Sequence, residues 1–262
     1  MRAMRTSAHK LVAQRTTFGP RYERATKHRT LDRLQELLRR VEGSGQRPAR
    51  DCISSGCPPL DRLLPQHGLL RGSLAEWLAD GPGCGAGTLA VLTAREACRE
   101  GGVLVVVDAK GTFYPPCAVA WGMPLSSTFV VRPPTHQDEL WAIDQALRCE
   151  HVAAVLAWPR RIDDHTFRRW QLAAEASGCL GLLVRPSVVR REPSWADVRL
   201  FVSPVAAQQG RRLHVQLLRC RGRFGEGAIE LEINERTGEI DEAHAGRLAP
   251  QLARSAAGEH SA

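Results

Sequence analysis

From Leu74 to Val184, short and largely apolar runs alternate with longer segments whose apolar residues recur at helical spacing. The runs Leu74–Leu78, Val103–Val107, Phe129–Arg132, Val152–Trp158 and Cys179–Val184 lack regular polar alternation, as strands buried on both faces do. Helices are predicted between them at Leu89–Glu100, Thr135–Cys149 and Asp163–Ser177. The last opens on acidic residues and stops at Gly178, which suits both ends of a helix. Strands with intervening helices predict a three-layer α/β core around a mainly parallel sheet. After Asp197 the texture changes. Val198–Val202, Leu213–Leu218 and Ala228–Ile233 are separated by turn signals at Gln209-Gly210 and Gly225–Gly227, and read as antiparallel strands extending one sheet edge.

Upstream of this core, Leu31, Leu34, Leu37, Leu38 and Val41 follow a Thr30 cap at helical spacing, predicting an N-terminal amphipathic helix that Gly43 ends. The polar stretch from Gly43 to Arg50 reads as a linker. The expected organisation is a basic, poorly ordered leader at 1–29, helix and linker at 30–50, a core at 51–240 and a flexible tail at 241–262. There is no internal repeat.

A chain of 262 residues, 43% of them hydrophobic, has material for one ordinary core. Its formal charge of +8 is unevenly placed. Residues 1 to 50 carry 13 Lys and Arg against 4 Asp and Glu, which leaves the rest near neutral. A basic leader on a neutral body suits an arm that contacts single-stranded DNA, each cation on a phosphate releasing a counterion; it equally suits a solvated terminus. The eight cysteines contain no Cys-x-x-Cys pair and read as reduced core residues, without a metal site. No run approaches the ~20 apolar residues of a membrane span, so a cytoplasmic protein with no membrane contact is expected.

The densest chemistry lies at Gly81-Pro82-Gly83-Cys84-Gly85-Ala86-Gly87-Thr88, between a predicted strand and a predicted helix. Successive amides at a helix N-terminus can cradle a phosphate. Aligned on Gly-x-x-x-x-Gly-Lys-Ser/Thr, the stretch has Ala86 at the second glycine and Gly87 at the lysine, keeping only the hydroxyl of Thr88. Glycine supplies no charge to β and γ phosphates, so the expectation is a degenerate nucleotide loop with weak ATP binding at most and no catalytic residues. The same glycines would also serve tight strand-to-helix packing. A Rossmann-type dinucleotide site, with Asp108 on a ribose, is a further alternative, although the glycines at 83, 85 and 87 depart from its spacing.

Ser54-Ser55-Gly56 through Leu60-Asp61, Gly68-Leu69-Leu70-Arg71-Gly72, the glycine loop and Val105-Val106-Val107-Asp108-Ala109 together resemble the entry to the ATPase core of the RecA family. Val155–Arg161, Phe167–Glu175 and Leu183–Pro186 further resemble the ImuA family of RecA-like accessory proteins in bacterial damage-induced mutagenesis. The resemblance implies a non-catalytic adaptor in SOS translesion synthesis. Its implied partners are an ImuB-like inactive Y-family polymerase relative and an error-prone C-family polymerase. It also implies a cytoplasmic, nucleoid-associated location and self-association, with the N-terminal helix packing on a neighbouring subunit or on its own core.

Carried over by residue, Lys110 stands where the water-activating carboxylate belongs, and Ala157 or Trp158 where the magnesium-side acid belongs. A DNA-dependent ATPase with rearranged catalytic groups is the alternative. Arg219 and Arg221 match a Lys-x-Lys pair that reaches a neighbour's nucleotide in RecA filaments. Together with Arg160, Arg161, Arg168 and Arg169 they are candidate DNA or partner contacts, or simply cations facing water. Phe167 and Trp170 share a helical side with Ala174 and are expected in the core.

Overall fold

The computed structural model describes residues 52–207, 210–221, 227–234 and 239–243. The basic leader, the helix expected at 31–41, its linker and most of the expected tail lie outside these residues.

The chain enters through a small antiparallel pair, β1 (Cys52–Ile53) with β2 (Leu69–Leu70), around α1 (Pro58–Leu63). The main elements follow in the order β3 (Leu74–Ala79), α2 (Ala86–Cys98), β4 (Val103–Val107), α3 (Pro115–Ala120), β5 (Thr128–Val131), α4 (His136–Leu147), β6 (Val152–Ala157), α5 (Asp164–Ser177) and β7 (Leu180–Pro186). A 3-10 turn, Ser187–Arg191, leads to β8 (Val198–Val205), β9 (Arg211–Cys220), β10 (Gly227–Ile233) and β11 (Ile240–Glu242). One nine-stranded sheet results, in the order β11-β10-β9-β8-β3-β7-β6-β4-β5. From β8 to β5 the neighbours are parallel, which corrects the expectation that Val198–Val202 belongs to the antiparallel extension; β9, β10 and β11 extend the β8 side antiparallel, as expected for Leu213–Leu218 and Ala228–Ile233. The last strand carries the sheet past the boundary expected at residue 240.

Alternate residues of the central strands serve two cores. Ala75, Trp77, Leu104, Val106, Ala154, Leu156, Leu180 and Leu182 face the layer of α2, together with Leu200, Val202, Leu213 and Val215 of the extension. The other face receives α4 and α5, with Ile143, Leu147, Phe167 and Trp170 buried, so the two aromatics are core residues. Ser177 joins these helices by donating to the Leu147 carbonyl at 2.6 Å.

The ends of α5 follow from single side chains. Asp163 accepts from the Thr166 amide at 2.9 Å, and that bond holds its carboxyl below the ordinary aspartate range. Gly178 closes the helix in the left-handed region at φ 75°. By contrast, α2 starts three residues before the expected Leu89, because the Gly85 carbonyl already accepts from the Leu89 amide at 3.0 Å. Cys52 and Cys117 are exposed, which corrects their expected place in the core; Cys57, Cys84, Cys179 and Cys220 are buried. Burial pushes the Cys57 thiol up to about 11.

Candidate functional site at the glycine loop

Register brings three chain segments to one edge of the sheet. Ala79, the last residue of β3, lies between Pro186 of β7 and Val202 of β8, and the Asp80 amide continues the ladder to the Val202 carbonyl at 2.9 Å. The glycine loop therefore leaves at the carboxyl edge of the parallel strands, the usual binding side of an open α/β sheet. Because β9 runs antiparallel to β8, its first residues return to that edge, with Arg212 opposite Val205.

The loop's shape requires glycine at Gly85. Its φ is 96°, and a Cβ there would lie 2.5 Å from Leu213 Cδ1 of β9. Gly81 and Gly83 are also left-handed, at φ 83° and 73°, but a Cβ on either would meet nothing within 4 Å. All eight loop residues, Gly81 to Thr88, line a cavity of about 320 Å³. Its opposite walls are apolar and aromatic: Val91, Phe113, Tyr114, Trp121, Trp158 and Val184. Trp158, at the expected magnesium-side position, thus presents an indole to the cavity. Lys110 is exposed and does not line it.

One cation does line the cavity, and its position in the sequence gave no hint of this. Arg211, at the start of β9, donates through Nη2 to the Gly83 carbonyl. Among the described lining residues there is no lysine and no carboxylate.

The dinucleotide alternative is corrected by topology. In a Rossmann unit the strand carrying the ribose acid lies beside the glycine-loop strand, whereas here β7 and β6 separate β3 from β4. Three strand spacings put Asp108 about 14 Å across the sheet from the end of β3. Asp108 is buried and accepts from the Thr112 and Phe113 amides at 2.8 and 2.9 Å, so it shapes its own loop.

The candidate arginines do not form one patch. Arg160 and Arg161 are exposed after β6, at the carboxyl edge with the glycine loop. Arg219 and Arg221 lie at the far end of β9, whose Cys220 pairs with Val198 at the start of β8, and so at the opposite edge. There Arg219 donates to the Ser194 carbonyl at 2.7 Å, and Arg221 pairs with Asp197 at 3.1 Å. Arg168 stacks on Trp195 at 4.7 Å and donates to Gln171; Arg169 pairs with Asp144 at 2.8 Å. Those two brace α5 from within.

A buried charge cluster was also not anticipated. Glu76, fully enclosed on β3, pairs with Arg185 of β7 at 2.7 Å and with Arg199 of β8 at 2.6 Å, and accepts from Ser194 at 2.6 Å. The arginines reach onward to backbone. Arg185 donates to the Arg160 carbonyl at 3.3 Å, and Arg199 donates to those of Val189, Arg190 and Glu192 at 3.1 to 3.3 Å. The loops after β6 and β7 are thereby tied to the central strand. A lone charge inside each of the apolar runs at β3, β7 and β8 was the signal that could have revealed it.

No family model matches this chain. RecA of Rhodopirellula baltica is 30% identical over 115 residues, 44% of this chain and 30% of that protein. ImuA of Caulobacter vibrioides is 26% identical over 201 residues, 68% of this chain and 82% of that one. Among solved structures, the RadB recombinase superposes with a TM-score of 0.58 at 16% identity, covering 73% of this chain and all of that one. Fold, loop and these likenesses define a RecA-like α/β protein. Within that class the chain is ImuA-like, being similar to ImuA along most of both sequences. The match to RecA spans under a third of RecA's length. No helix among the described residues is long and apolar enough to cross a membrane.

Proposed function

We propose that this chain is a non-catalytic RecA-like adaptor in damage-induced mutagenesis, binding an ImuB-like inactive Y-family polymerase relative and an error-prone C-family polymerase. The observation that carries the reading is the wall of the loop cavity: an indole and apolar groups where phosphoryl transfer requires a metal-holding acid, and Gly87 where it requires a lysine. Phosphoryl transfer depends on placed charge, so the loss of these groups removes turnover while leaving the fold as a binding body. The likeness to ImuA over most of both chains supports the repair context.

Purified full-length protein is expected to release phosphate from ATP no faster than buffer, with or without single-stranded DNA. Tagged protein from DNA-damaged cells is expected to bring down both polymerase partners. Turnover well above the control sinks the adaptor reading. Arg211 favours a second reading, in which its guanidinium replaces the missing lysine and the protein is an ATPase. That reading requires turnover that Arg211→Ala abolishes.

Contact with single-stranded DNA is a separate part of the proposal, resting on the basic leader and on Arg160 and Arg161 at the carboxyl edge. Reversing both arginines to glutamate is expected to weaken binding and to flatten its dependence on salt, by roughly one unit of logarithmic slope per lost phosphate contact. Unchanged affinity and slope at matched salt would remove this edge from the DNA interface.

A further inference from the structure

The two edges of the sheet are guarded differently. The strand β11 is three residues long and ends in Asp241-Glu242, and Glu242 pairs with Arg62 at 2.6 Å. At the other edge β5 reads Thr128-Phe129-Val130-Val131, without a charge, a proline or a bulge. An edge strand carries backbone donors and acceptors that template another strand, and such edges are ordinarily blunted by charge, proline, bulges or a covering element.

Among the described residues no strand pairs with the outer side of β5, and apolar surface gathers around it. Of nine large exposed apolar side chains among the described residues, five come from the stretch around β5: Tyr114, Val119, Leu125, Val130 and Trp141, each 38 to 67% exposed. Register distributes them over both faces. Val130 pairs with Val106, which faces the α2 layer, whereas Trp141 belongs to α4 on the opposite layer. Exposed apolar side chains gathered about an edge strand in this way suit an interface.

We infer that two copies of the chain pair through β5, antiparallel about a twofold axis, joining their sheets edge to edge. Self-pairing fits the charges. With the axis on Val130, where an antiparallel twofold sets a residue opposite its own symmetry mate, Arg132 of one copy falls opposite Thr128 of the other. No like charges meet in this register, and one patch serves both copies, as a closed twofold contact requires. A head-to-tail contact of β5 on β11 would instead set an apolar strand against Asp241 and Glu242. The pairing is independent of the adaptor reading, since it uses neither the glycine loop nor the arginines.

Sedimentation of the full-length protein across the micromolar range tests it. The expected result is a reversible dimer, with Val130→Lys and Val130→Glu each raising the dissociation constant by roughly 100-fold or more through like-charge opposition. Mixing the two variants is expected to restore the dimer, because the twofold sets opposite charges face to face. That rescue also shows that neither variant failed by misfolding. A monomer at every concentration, a dimer indifferent to both substitutions, open-ended polymers, or charge variants that do not rescue each other would each overturn the inference.

Discussion

Replacing Glu76 by glutamine is expected to lower the melting temperature by roughly 6 to 20 °C, from a loss of about 3–5 kcal/mol at about 2–4 °C per kcal/mol for a domain of this size. The substitution barely changes volume. It removes the anion that balances Arg185 and Arg199, both buried, leaving the half-exposed Glu192, 3.1 Å from Arg185, as the remaining carboxylate of the cluster. Taking away one partner of a buried ion pair costs far more than the pair is worth against an apolar replacement, because the other partner cannot regain water. The contrast supplies a second arm. Glu76→Leu with Arg185→Leu and Arg199→Met is expected to recover most of the lost stability. It does not restore the hydrogen bonds from these arginines to the carbonyls of Arg160, Val189, Arg190 and Glu192. Trypsin is therefore expected to cut after Arg190 or Arg191 in the triple variant much faster than in the wild type. A melting temperature unmoved by Glu76→Gln would show that the cluster carries no net constraint.

Much of the fold was legible because the parallel strands are buried on both faces: unbroken apolar runs such as Val103–Val107 leave little room for another assignment. Short elements were not, since α3 and the β1–β2 pair have too few residues to show a period. Strand order was also beyond a linear reading. That β3 lies between β7 and β8 is a long-range fact, and it alone separates Asp108 from the glycine loop. The site divides in the same way. Gly81 to Thr88 announce themselves by local spacing, and all eight line the cavity. Arg211 lies 128 positions from Gly83 and reaches it only through the return of β9. Arg168 and Arg169 look like surface cations in the sequence, yet the ring of Trp195 and the carboxylate of Asp144 occupy them.

The second large effect is expected at Gly85, where the loop meets β9. Gly85→Ala should cost about 2–5 kcal/mol, combining about 1–2 for a side chain in the left-handed region with about 1–3 for overpacking against Leu213. Leu213→Ala should cost a similar 2–5 kcal/mol by opening a cavity in the core. The pair should not add. Removing the Leu213 methyls, the nearest 2.5 Å from the new Cβ, abolishes the collision but not the backbone strain, so the double variant should be more stable than the sum by about 1–3 kcal/mol. Urea unfolding of the four proteins checks this, and additivity to within about 0.5 kcal/mol would mean that the loop does not rest on β9. Alternate residues of a strand share a face, so Leu213 under Gly85 and Arg211 beside Gly83 act from the same side of β9. The first turns of that strand form the floor of the loop, and any ligand or partner entering the cavity meets a loop whose shape β9 has already set.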